Sequence, residues 1–263
     1  MGNNPAAPLI HLARSALDHL RGRGGEPHVV YQTSTIAALL SGVYEGDVTV
    51  AELLEQGDFG LGTFNSLDGE MVILDGTCYR LRADGSAGVV GGGERTPFAV
   101  VTTFRPQTVV PIDSPTSRPG LSELVAGHVA SSNLMHAVRV TGEFAEVHTR
   151  TVERQDRPFP PLVEATRGQA EAVLRDVAGT LAGFVTPDFE QGISVAGHHL
   201  HFLAADARHG GHALDFTLTR GSLAIDTASE LRLSLPTSGP FLTAALSEDD
   251  LDAQIREAEG GDA

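Results

Sequence analysis

The chain has 263 residues, and its 18 basic side chains, all arginine, face 34 acidic ones for a formal net charge of −16 at pH 7. Such a surface repels nucleic acid and anionic membranes, so neither is expected as a partner. The single cysteine, Cys78, excludes an internal disulfide and a cysteine metal cluster, which leaves histidine and carboxylate as the available ligands.

At residues 9–20, Leu9, Leu12, Ala13, Ala16, Leu17 and Leu20 recur at helical spacing. The start of the chain lacks a basic segment followed by an apolar block and a cleavage site, and no apolar run reaches bilayer length, so a cytoplasmic location is expected. A strand follows at 28–32 and a short helix at 34–40 ending near Gly42. A second helix is expected at 49–56, where Thr49 stands three residues before Glu52 in capping-box spacing. Segments 60–65, 70–74 and 77–82, separated by Asp68-Gly69 and Asp75-Gly76, read as a meander with tight turns, and 97–104 as one more strand.

The stretch 111–120, with three prolines among Asp, Ser and Gly, is the sharpest composition shift in the chain. It places a boundary between an N-terminal β-rich half, 1–115, and a C-terminal one, 116–263. The second half is expected to hold a helix at 121–129, two strands within 135–148 broken at Gly142, a helix at 162–174, strands at 180–185, 193–203, 213–219 and 222–235, and a last helix at 247–259. The fold class is α+β: two β-rich halves with mixed or antiparallel sheets, a few flanking helices, and a metal site in the cleft between them.

The metal expectation rests on Gly197-His198-His199-Leu200-His201-Phe202 and on Gly210-Gly211-His212. Alternate residues of a strand share a face, so His199 and His201 can reach one ion, and His212 on a return strand supplies a third imidazole. Three neutral histidines with a fourth position open form the pattern of a catalytic zinc site. A lone strand histidine is ordinarily just a packed or solvated residue; the HxH pair with a third histidine is what lifts these above that reading. His198 points the other way, and His209 lies in the connecting loop.

Glu70 begins a strand after an Asp-Gly turn, a position that can aim a carboxylate into a cleft, although a solvated strand-start acid has the same signature. Arg150, at the end of a strand, would suit an anionic substrate, as would several other arginines.

Taken together, Gly60-Leu61-Gly62-Thr63-Phe64-Asn65, Leu67-Asp68-Gly69-Glu70, Leu74-Asp75-Gly76, Tyr79 and Thr96-Pro97-Phe98 resemble the N-terminal half of the α-acetolactate decarboxylases. Gly142-Glu143-Phe144, Arg150, Arg154-Gln155, Gly179-Thr180, Gly183-Phe184, the 197–202 stretch and Gly210 to Asp215 resemble their C-terminal half, in the same order, so that the likeness spans about 28–259. The resemblance implies a cytoplasmic, homodimeric zinc enzyme. It would convert (S)-2-acetolactate, a small 2-hydroxy-3-oxo acid, to (R)-acetoin on the route to butanediol, through a metal-stabilised enediolate. It further implies His199, His201 and His212 as Zn2+ ligands, Glu70 and Arg150 as acid/base and carboxylate-facing groups, and Thr63 in the pocket wall. A glutamate of the C-terminal tail is implied at the site, Glu259 by its place in the last helix, with Glu257 as its rival. The family usually carries a large aromatic where this chain has His198.

Two other readings compete. A cupin-like metal oxygenase also uses an HxH strand and a distant histidine, but it wants a glutamate shortly after the pair, where this chain runs Phe202 to Ala205 and then Asp206. A non-catalytic β domain that merely binds metal predicts no turnover.

Overall fold

The computed structural model describes residues 28–237, 239–246 and 251–259; the helix expected at 9–20 and the beginning of the one expected from Ser247 lie outside them. The first sheet contains β1 (Val29–Thr33), β3 (Phe59–Thr63), β4 (Glu70–Leu74), β5 (Thr77–Leu81), β6 (Ala87–Val89), β8 (Phe98–Thr102) and β15 (Glu230–Ser234), in the order β15-β1-β8-β3-β4-β5-β6. Its pairings are antiparallel except that of β15 with β1, which is parallel. Asp75 and Gly76 both take positive φ, 50° and 75°, which a two-residue hairpin turn demands, and they set Leu74 opposite Thr77. Short strands β2 (Val48–Thr49) and β7 (Arg95–Thr96) form a separate ladder.

The second sheet is built on three long or curved strands and a shorter one: β11 (Met135–Thr151), β12 (Ala170–Thr186), β13 (Gly197–Ala204) and β14 (Gly210–Ala228). Each pairs antiparallel with the next, and β13 pairs again with the start of β14, so the four close on themselves. Strands β9 (Thr108–Ile112) and β10 (Thr116–Ser117) add to the outer edge of β14. The sequence boundary at 115/116 therefore separates most of the two sheets but not all: β9 precedes it yet joins the second sheet, and β15 returns to the first.

Helices α1 (Ile36–Leu40), α2 (Val50–Gln56), α3 (Arg118–His128), α4 (Leu162–Thr166) and α5 (Leu251–Glu259) flank the sheets. The Thr49–Glu52 capping box is present on α2, and Ser117 caps α3. No helix among the described residues is long and apolar enough to cross a membrane.

Three expectations need correction. The helix expected at 162–174 stops at Thr166, and from Ala170 the chain is strand. Its run of Ala, Glu, Val, Leu and Arg is helix-prone, but pairing of residues 170–175 with 146–151 of β11 overrides that local preference. Second, 135–148 is one strand and not two. Gly142 sits in mid-strand between Gly179 and Gly221, and a Cβ on it would stand 2.2 Å from the Arg220 carbonyl oxygen, so the glycine marks close backbone approach rather than a break. Third, 213–219 and 222–235 redistribute into β14, continuous to Ala228, and β15; the 193–203 strand likewise begins only at Gly197.

One face of the first sheet, with Phe59, Leu61, Val72 and Phe98, packs on Ala182 and Phe184 of the second. The other face, with Met71, Ile73, Ala99 and Val101, is covered by Val50 and Leu53 of α2. Inside the closed second sheet Phe144 lies against Phe202 and Phe216 with ring centroids 5.2 and 6.1 Å away. Phe144→Ala should lower the unfolding free energy by about 3–5 kcal/mol, read from a urea midpoint; a loss under about 1 kcal/mol would mean that this core closes around the missing ring.

Candidate metal centre

The seam where β13 meets β14 creates the site. His201 faces His212 across the ladder, and His199 lies two residues further along the same face of β13. Gly210 makes this closure possible, because a Cβ there would stand 2.3 Å from the Phe202 carbonyl oxygen. On its other side His212 pairs with Arg150 of β11. One ligand atom from each of the three imidazoles lies within 4.8 Å of the others, and all three rings are buried.

Neighbouring backbone orients two of the rings. His201 Nδ1 donates to the Met71 carbonyl at 2.7 Å, leaving Nε2 toward the site; His212 Nε2 donates to the Glu259 carbonyl at 3.1 Å, leaving Nδ1. Such partners fix the tautomer that a metal ligand needs. Burial drives the basicity of the imidazoles down, His199 and His201 to about 3 and His212 well below its ordinary value, with the Arg150 charge adding to the effect at His199 and His212. All three are therefore neutral at pH 7, with lone pairs free to bind a cation.

The other expected residues converge here. Glu70, at the start of β4, has Oε2 3.8 Å from His201 Nε2. Burial raises its carboxyl to about 7, with Arg150 pulling down and Glu259 pushing up. Glu259 at the end of α5 has Oε2 3.4 Å from Arg150 Nη2, 3.6 Å from His199 Nε2 and 3.7 Å from His212 Nδ1, and burial raises its carboxyl too. Its rival Glu257 is exposed and takes no part. Thr63, paired with Glu70, is buried and donates its hydroxyl to the Gly69 carbonyl at 2.9 Å. His209 is exposed beside Asp206, away from the cluster.

Two cavities meet at this cluster. A small one of 30 Å³ is walled by Thr63, Glu70, Phe98, Arg150, His199 and Glu259, together with apolar residues of α1 and α4. A larger one of 350 Å³ opens on the other side of His199 and Glu259 and is lined by Arg118, Gln191, His198 and Arg256. His198 lines this larger cavity together with His199 and His212, its basicity lowered to about 4 by burial and by Arg118 and His136. Sequence reasoning missed Arg118 and the Met71 carbonyl. No motif marks a backbone acceptor, and Arg118 stood in a stretch read as a boundary.

The sequence profile of the alpha-acetolactate decarboxylase family matches residues 30–248. The chain is 46% identical over 231 residues to the alpha-acetolactate decarboxylase of Klebsiella aerogenes, covering 88% of this chain and 89% of that one. It is 46% identical over 236 residues to that of Methylococcus capsulatus, covering 90% of each. The crystal structure of the Bacillus subtilis strain 168 enzyme superposes with a TM-score of 0.87 at 41% identity, covering 89% of this chain and all of that one. The chain belongs to the alpha-acetolactate decarboxylase family.

Proposed function

We propose that the chain decarboxylates (S)-2-acetolactate to (R)-acetoin, with one zinc ion held by His199, His201 and His212. The observation that carries this reading is the convergence of three buried neutral imidazoles, two carboxyls and one arginine in a chain that matches this family over nearly its whole length. The residues fit the metal. His201 Nε2 is buried without a hydrogen-bond partner among the described residues, which is costly unless a cation takes its lone pair, and three imidazoles are a normal donor set for catalytic zinc. When bound, zinc polarises the substrate's hydroxyl and ketone oxygens as a Lewis acid.

The chain's own groups do the rest. Arg150, buried and always charged, holds the substrate carboxylate and the negative charge that develops as the bond to carbon dioxide breaks. The electron pair of that bond passes into the ketone to give an enediolate. Protonated Glu70 then delivers a proton to the carbon that lost the carboxylate, on one face only, and recovers it from solvent. Glu259 lines both cavities and holds Arg150, and Thr63 closes the wall beside Glu70. The smaller cavity brings Thr63, Glu70 and Arg150 to one wall of the cluster, and the larger one adjoins it at His199 and Glu259, which line both. On the same reading the enzyme acts in the cytoplasm as a homodimer, without nucleic-acid or membrane partners, in keeping with its net charge of −16.

The test is turnover of racemic acetolactate by purified protein: (R)-acetoin should form and a chelator should stop it. Absence of acetoin would leave a metal-binding domain, and oxygen-dependent products would favour a cupin-like oxygenase. Within this reading Arg150→Lys keeps the charge but loses the planar fork, so kcat/KM should fall about 10–100-fold. A loss in KM alone marks binding shared by ground and transition states, and a loss in kcat marks charge that develops later. Parent-like values in both would pass the role to another arginine.

A further inference from the structure

The hydrogen-bond ladder between β13 and β14 ends where the candidate ligands are. Only His201 with His212, Phe202 with Gly211 and Leu203 with Gly210 pair across it, so His199 lies beyond its end on one strand and Ala213 and Leu214 beyond it on the other. On the far side of β14 the register with β11 also slips: Thr149 faces Ala213 and His148 faces Asp215, which leaves Leu214 as a bulge. Two strands that must hold imidazoles at fixed spacing thus separate without backbone bonds between them.

The guanidinium of Arg118 fills that gap. Its Nη1 donates to the Ala213 carbonyl at 3.3 Å and to the Leu214 carbonyl, and its Nη2 donates to the His198 carbonyl at 3.3 Å. One planar group therefore grips the residue after His212 on β14 and the residue before His199 on β13. Its own backbone is firmly placed: β10 sets Ser117 against Thr217, Ser117 caps α3, and Leu121 and Val125 anchor that helix in the core of the closed sheet. The fork geometry of arginine suits a bridge between acceptors on two strands, which a point-like ammonium cannot span.

We propose that Arg118 is a positioning residue that clamps β13 to β14 beyond the end of their ladder and so sets the spacing of His199 from His212. The inference rests on the zinc reading of the site. The test is zinc affinity, measured by competition with a chromophoric chelator, for the parent, Arg118→Met, Arg118→Lys and, as a control, Leu121→Ala. The control loosens the packing of α3 in the core of the closed sheet and leaves the Arg118 guanidinium itself unchanged. Arg118→Met should weaken zinc binding about 10–100-fold, the range for residues that orient metal ligands, and Arg118→Lys should fall between it and the parent. Leu121→Ala should lose thermal stability and keep parent affinity for zinc. If Arg118→Met does not fold, Arg118→Lys decides alone. Parent-like affinity in the folded Arg118 variants, or an equal loss in Leu121→Ala, would overturn the clamp. A parent protein that binds no zinc would instead overturn the reading of the site.

Discussion

Glu70→Gln should fold, keep its zinc and turn over acetolactate about 10²–10⁴-fold more slowly, the contribution usual for a positioned proton donor. Glutamine preserves the size of the side chain and can still accept the hydrogen bond from the Val152 amide, so the packing around β4 is retained. What it loses is the proton. The effect should appear in kcat at saturating zinc and substrate. Turnover within about threefold of the parent would remove Glu70 from proton transfer and leave it a packing role.

His201→Ala should abolish activity and zinc content together. The three rings form a nearly equilateral triangle, with His201 5.2 Å from His199 and 5.4 Å from His212 and those two 5.2 Å apart between ring centroids, and His201 Nδ1 is tied to the Met71 carbonyl of the first sheet. Truncation removes a ligand outright, so zinc affinity should fall by more than the roughly 10–100-fold that changes to supporting residues cost. Elemental analysis of the purified variant reads the outcome directly. A full zinc complement in His201→Ala would strike it from the ligand set.

Local chemistry made some of this structure legible from residues alone. Asp75-Gly76 demanded a tight turn, Thr49 and Glu52 demanded a helix start, and the two-residue spacing of His199 and His201 required a shared face once the segment was extended. Helix α5 shows a signal that could have separated Glu259 from Glu257: buried Ile255 stands four residues before Glu259, which puts both on the inward side and turns Glu257 outward. Other features were set by distant partners. Residues 170–174 became strand because β11 offered them a ladder, and Gly142 remained inside a strand because Gly179 and Gly221 flank it. Arg118 grips main-chain carbonyls, which carry no side-chain signature at all.

Stepwise return of zinc to chelator-treated protein, with acetoin formation followed at each addition, bears most directly on the claim that these three histidines hold the ion the reaction needs. Activity should rise linearly and level off at about one zinc per chain. Full activity in protein shown to be free of metal would contradict the claim.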